Sequence, residues 1–164
     1  TPFCHLGVGA GIGLAPIAGY VAAHPDLAHP WAALWLGAFT FFWGSGFDII
    51  YSTLDEESDR ANGVHSMVAW LGRERALEVS AWLHRAAQLC LIPMIAQVLL
   101  AAGQPLPSLA AVLAFFVWFG VGVLLYLEQK WAEDVNLAFF KVNVWVGAVV
   151  LALVLVSRAA GGGF

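Results

Sequence analysis

Hydrophobic and polar positions fall in long blocks along the chain, with neither the two-residue period of a half-buried strand nor the single apolar stripe of a surface helix. Five apolar blocks, 5–23, 31–50, 81–102, 109–127 and 138–157, approach or reach the roughly 20 mostly apolar residues that a helix needs to cross a bilayer. The pattern therefore predicts an all-α, multi-span transmembrane helical bundle of five spans, with one long polar connection at about 51–80. Composition strengthens this reading: the chain is 61% hydrophobic and 11% charged with mean hydropathy +0.81, where soluble domains run near 45–50% and 25%. A formal net charge of −4 argues against a phosphate backbone as partner, so no nucleic acid is expected, and membrane lipid is.

The chain starts at Thr1 without a basic segment or cleavage site ahead of its first apolar block, so no signal peptide is read there and the expectation is a piece of a longer protein. Cys4 and Cys90 both lie in apolar blocks, which suits buried free thiols better than a disulfide or a metal site. Arg60, Arg73, Arg75 and Arg85 cluster in or just after the connection between spans two and three, and Lys130 and Lys141 flank the connection between spans four and five. The connections on the other side, 24–30 and 103–108, contain no Lys or Arg, and only Arg158 breaks the asymmetry. An excess of basic residues marks cytoplasmic loops, so the long polar connection is expected at the cytoplasmic face of an inner or plasma membrane.

Within the spans, Gly7, Gly9, Gly11 and Gly13 repeat small residues at the spacing that lets helix backbones approach closely in lipid. Pro16 predicts a kink in the same span. His5 is expected at the interface, with contact to a substrate as the alternative. Trp31 and Trp35 open span two at the depth of an aromatic belt. In span three, Gln97 suits a helix-to-helix hydrogen bond or a cavity wall, and Arg85 a position near the cytoplasmic end where its head reaches water. Phe115, Phe116, Trp118 and Phe119 read as a lipid-facing or packing surface. Glu128, Glu133 and Asp134 read as solvated. Asn62 and Gly63 supply a helix stop, and Val64 to Leu71 a short surface helix ending at Gly72.

The stretch 46–67, GFDIIYSTLDEESDRANGVHSM, is where the chemistry concentrates. Taken as a continuing helix, Asp48, Tyr51, Asp55 and Asp59 follow one another at +3, +4 and +4 and share one narrow stripe, with Glu56 and Glu57 off it. Asp55 and Asp59 are a like-charge pair one turn apart, which disfavours an isolated helix unless a cation sits between them. A carboxylate at the depth of Asp48 should face a bundle interior or a water-filled cavity. Three uses fit the pattern: metal-assisted diphosphate chemistry, ion or proton transport, and a solvated helix end. Mg²⁺ takes oxygen ligands and is commonly held by one or two carboxylates together with substrate phosphates, so the first use needs a phosphate-bearing partner.

DxxYxxxDxxxD at Asp48, Tyr51, Asp55 and Asp59, followed by DRANGVHS with Arg60, Gly63, His65 and Ser66 and a WLG turn at Trp70 to Gly72, resembles the second aspartate-rich motif of the UbiA superfamily of intramembrane prenyltransferases. HLGVGAGIGLAPIAGYVA in span one and VNLAFFKVN before span five resemble its 4-hydroxybenzoate polyprenyltransferase and menaquinone-pathway branch. The resemblance implies the second half of a nine-span bundle and Mg²⁺-dependent transfer of a polyprenyl group from polyprenyl diphosphate to an aromatic acceptor such as 4-hydroxybenzoate. It implies Asp55 and Asp59 as holders of Mg²⁺ and diphosphate, Asp48 and Tyr51 near the reacting carbon and acceptor, and Arg60 and Ser66 as contacts to diphosphate or acceptor. The family's first motif, an Asn followed four residues later by Asp, has no match here: Asn62, Asn136 and Asn143 are followed at that spacing by Ser66, Phe140 and Gly147. Activity of these residues by themselves is therefore not expected. The competing readings are a family member with a tetrapyrrole acceptor, an ion or proton transporter, and a noncatalytic membrane segment.

Overall fold

The computed structural model describes residues 1–101, 103, 108–134 and 141–159, with side chains through residue 156. Among them all regular structure is helical: α1 Cys4–Ala23, α2 Trp31–Ser52, α3 Glu56–Ala61, α4 Met67–Leu71, α5 Arg73–Ala101, α6 Leu109–Lys130 and α7 Asn143–Ala159. A backbone in lipid has no water to bond with, and a helix satisfies its own amides and carbonyls. The apolar blocks accordingly become helices, and α1, α2, α5 and α6 are long and apolar enough to cross a membrane.

Three boundaries differ from expectation. The third span begins at Arg73 rather than 81, so α5 has 29 residues and takes up the last part of the connection placed at 51–80. Gly72, at φ +81°, turns the chain out of α4. Arg73 to Ser80 then winds directly into α5 because Ala76 and Ser80, one turn apart, are buried. The fourth span runs on past 127 to Lys130. The fifth yields only the 17-residue α7, and the 138–140 start of the expected span, like the 104–107 loop and most of VNLAFFKVN, lies outside the described residues.

Two short helices fill the polar connection, where the sequence predicts one at 64–71 and a continuation of α2 through 55–59. α3 ends at Ala61, with Asn62 at its C-cap and Gly63 at φ +68°. α4 begins behind Ser66, whose hydroxyl oxygen accepts from the Ala69 amide at 3.2 Å, and Ser108 caps α6 in the same manner through Ala111.

α2 lies between α1 and α5, α6 packs on α5, and α7 packs on α6 and α5. Phe39 of α2, Leu91 and Met94 of α5, Val121 and Leu125 of α6, and Val146 and Leu153 of α7 meet in the principal core. A smaller cluster of Ile49, Met67, Val68 and Ala76 joins the end of α2 to α4 and the start of α5. Phe115, Phe116 and Phe119 are exposed on the outer face of α6, as a lipid-facing or a packing surface requires. Trp118 instead turns inward, donating from Nε1 to the Gln88 carbonyl at 3.0 Å while Gln88 Nε2 donates to the Trp118 carbonyl at 2.7 Å. Gln97 is exposed on α5.

The glycine repeat of α1 divides by face. Gly9 and Gly13 are buried against α2, and a Cβ on Gly9 would overlap Ser45 and the Phe41 carbonyl. Gly13 and Gly37 approach reciprocally, a Cβ on either one coming to 2.9 Å from the other's carbonyl oxygen. Gly7 and Gly11 have open space at the same position. Leu at Gly9 or Gly13 should therefore lower the midpoint of thermal unfolding in detergent, by an overpacking cost of about 1–3 kcal/mol or more, whereas Leu at Gly7 or Gly11 should leave it nearly unchanged.

Candidate functional site

α2 does not continue through the aspartate-rich motif. Ser52 Oγ donates to the Ile49 carbonyl at 2.8 Å and Thr53 Oγ1 to the Ile50 carbonyl at 2.7 Å, supplying side-chain partners for carbonyls of the last turn. The amides of Thr53, Leu54 and Asp55 each reach back three residues, at 3.1, 3.1 and 3.2 Å, and tighten the chain out of the α-helix. The single four-residue stripe of the continuing-helix reading is therefore corrected to two pairs. Asp48 and Tyr51 stay on one face near the end of α2; Asp55 and Asp59 belong to the next element, joined by an Asp59 amide to Asp55 carbonyl bond of 2.7 Å.

Asp55 occupies the N-cap position of α3, yet its side chain makes no capping hydrogen bond. That carboxylate is exposed and Asp59 is half-buried. Next to them, Arg60 Nη2 pairs with Glu56 at 2.9 Å, and Arg60 lines a cavity of about 430 Å³ with Pro2, Gly63, Val64, His65, Ala69 and Trp70. Ser66, expected to touch substrate, is buried as the cap of α4. Tyr51 is exposed at the end of α2.

Asp48 is the member of the motif most firmly held. Its Oδ2 lies 2.7 Å from Nδ1 of His5, whose side chain is 3% exposed against 25% for Asp48. The other ring nitrogen of His5 accepts from the Met67 amide at 3.3 Å. Since Nε2 must offer a lone pair there, the ring proton is on Nδ1 and is donated to the carboxylate. His5 is thus a buried link between α1, α2 and α4 rather than an interfacial residue. Cys4 beside it is exposed, contrary to the expected burial, while Cys90 is buried and both thiols are free.

A second polar group lies where the sequence suggested only solvated charge. Glu128 is fully buried, with Oε2 3.9 Å from Nε2 of buried His84. Gln129 Nε2 lies 3.0 Å from His84 Nδ1 and donates to Ser80 Oγ at 2.6 Å, and Ser80 Oγ donates to the Gly46 carbonyl at 2.7 Å. The network binds α2, α5 and α6 together at the level of the motif. Its signal was present: Ala114, Val121, Leu125 and Glu128 are spaced +7, +4 and +3, so Glu128 continues the buried face of α6. Ending the span at 127 hid it.

Asp55 and Asp59 suit Mg²⁺ in ligand type, as hard oxygen donors one helical turn apart with Asp55 not engaged as a cap. Among the described residues, no group of three or more His, Cys, Asp or Glu is placed to hold a metal ion. Two carboxylates make part of such a site, and phosphate oxygens are its natural complement.

The UbiA prenyltransferase family matches residues 1–145, the span that carries α1 to α6, the motif and the start of α7. The chain belongs to that family. A similar protein is the polyprenyl transferase yanG of Aspergillus niger, 39% identical over 71 residues, which cover 43% of this chain and 21% of that protein. The chain thus matches about a fifth of the length of this relative. No solved structure matches the chain.

For this UbiA family member the Ser80 to Gln129 network is a packing device with a measurable cost of removal. Ser80→Ala strips Gly46 and Gln129 of a buried partner, and unfolding in detergent should show a loss of about 1–3 kcal/mol. Substitution of exposed Gln97 by Ala should fall within about 0.5 kcal/mol of the unsubstituted protein.

Proposed function

We propose that this chain forms part of an Mg²⁺-dependent polyprenyltransferase that moves a polyprenyl group from polyprenyl diphosphate to an aromatic acceptor such as 4-hydroxybenzoate, in quinone biosynthesis. The observation that carries the proposal is the family match across the aspartate-rich motif, combined with an Asp55 carboxylate that makes no capping bond and stands one turn before Asp59, just beyond the end of α2. The sequence likeness of span one to the 4-hydroxybenzoate and menaquinone-pathway branch supports the aromatic acceptor over a tetrapyrrole. The basic-residue asymmetry supports a cytoplasmic position for the motif.

In this reading Asp55 and Asp59 would hold Mg²⁺ beside the donor's diphosphate, with a second aspartate-rich cluster supplied from outside these residues. Mg²⁺ held there would supply neutralisation of the charge on the leaving diphosphate. The allylic C–O bond breaks with its electron pair going to diphosphate, an acceptor ring carbon attacks the allylic cation to form the new C–C bond, and the ring loses a proton. Asp48 and Tyr51, one turn apart near the end of α2, would orient the acceptor and stabilise the cation. Arg60 contacts diphosphate on leaving Glu56, and Ser66 supports the site by fixing α4. Apolar helices around the motif keep water from the cation.

Membranes containing the full-length parent protein, given labelled polyprenyl diphosphate, 4-hydroxybenzoate and Mg²⁺, should form prenylated acceptor. Asp55→Asn or Asp59→Asn should reduce that product by about 100-fold or more while membrane insertion is kept. Excess chelator should stop turnover and added Mg²⁺ restore it; turnover that ignores both would sink the metal assignment. Transfer to a tetrapyrrole alone would move the acceptor assignment without moving Asp55 or Asp59.

A further inference from the structure

We propose that His5 is a positioning residue that holds the Asp48 carboxylate in register for prenyl transfer and, through its other nitrogen, ties the start of α4 to the same point. The inference rests on the polyprenyltransferase reading for its consequence in turnover, and on geometry alone for the link itself.

His5 stands at the second residue of α1, far in sequence from both partners, and is nearly as buried as the core. A buried imidazole has two nitrogens to satisfy, and here each has a different task. Nδ1 donates to Asp48 Oδ2 at 2.7 Å, while Nε2 accepts from Met67 at 3.3 Å. Met67 opens α4, so its amide is one of the donors that a helix cannot satisfy internally. Ser66 Oγ serves the Ala69 amide two residues on. His5 and Ser66 together therefore cap the helix that follows the motif.

The same contact restrains Asp48. A carboxylate can swing about its last torsion, and a short bond to a donor buried in a neighbouring helix removes that freedom for one oxygen. The side chain is 25% exposed, so the hydrogen bond to His5 holds Asp48 without burying it. Small misplacements of a functional group cost up to about 100-fold in rate, so the fixed orientation is the quantity His5 supplies. Phe3, packed edge-on against Trp70 at 6.4 Å between centroids, joins the start of the chain to α4 on the same side.

The two tasks separate by substitution. The amide nitrogen of His5→Asn falls near the place of Nδ1 and keeps a donor for Asp48 but loses the Met67 acceptor. The amide of His5→Gln reaches the place of Nε2 and keeps the Met67 acceptor but loses the Asp48 donor. In the full-length parent protein in nanodiscs, kcat for prenyl transfer should fall roughly 10–100-fold in His5→Gln and His5→Ala and much less in His5→Asn, with KM for polyprenyl diphosphate little changed. Amide exchange of the 63–72 peptide should show the reverse order, accelerated in His5→Asn and His5→Ala and near the unsubstituted rate in His5→Gln. Equal loss of kcat in the Asn and Gln variants, unchanged kcat in His5→Ala, or unchanged exchange in His5→Asn would overturn the proposal. If the unsubstituted protein transfers no prenyl group, the proposed function fails by itself, and the exchange pattern alone decides whether His5 holds α4.

Discussion

The close approach of α1 and α2 sets the rest of the site. The helices run antiparallel, and their contact steps along both in turns: Gly13 on Gly37 and Phe41, Gly9 on Phe41 and Ser45, then His5 on Asp48. Each step moves about one helical turn back on α1 and one forward on α2. A side chain at Gly9 or Gly13 would force the backbones apart, and the imidazole at the end of the ladder could then no longer span to the carboxylate. Close packing of small residues, which drives helix association where lipid and side chain are equally apolar, is thus also what brings His5 within reach of Asp48.

Polar groups elsewhere follow the same economy of space. In a bilayer an unsatisfied polar atom has no water to turn to, and part of this bundle's buried polar set is satisfied by hydrogen bonds between helices, while both Glu128 carboxylate oxygens and His84 Nε2 make none among the described residues. Gly46, Ser80, Gln129 and His84 form one such path and Gln88 with Trp118 another, so α2, α5 and α6 are joined by direction-specific bonds as well as by apolar packing. The aspartate-rich motif is consequently anchored on one side by α1 through His5 and on the other by α5 and α6. α3, with no buried residue, carries Asp59 and Arg60 near the surface, with Asp55 at its N-cap.

Membrane proteins of this type are unusually legible in outline. The bilayer demands about 20 apolar residues per crossing, so the spans at α1 and α2 could be read to within two residues, and Gly63 and Gly72 marked stops because their positive φ is open to few other residues. The ends of α5 and α6 were missed because buried polar residues prolong them: Ser80 and Glu128 look like loop by composition and are core by position. The DxxYxxxDxxxD spacing was legible as chemistry, yet the helix under it was not, since side-chain bonds from Ser52 and Thr53 ended α2 before Asp55.

The sequence by itself determined the helical class, the approximate spans, the oxygen-rich motif and, through it, the likeness to a family that the match over residues 1–145 bears out. Periodicity states which residues share a face of one helix, and motif spacing states which chemistry they offer. Neither states what stands opposite. The pairing of His5 with Asp48 and Met67, the burial of Glu128, and the sorting of Gly9 and Gly13 from Gly7 and Gly11 were decided by tertiary structure. They depend on how two helices, far apart in the chain, are set in register by the few contacts close enough to exclude a methyl group.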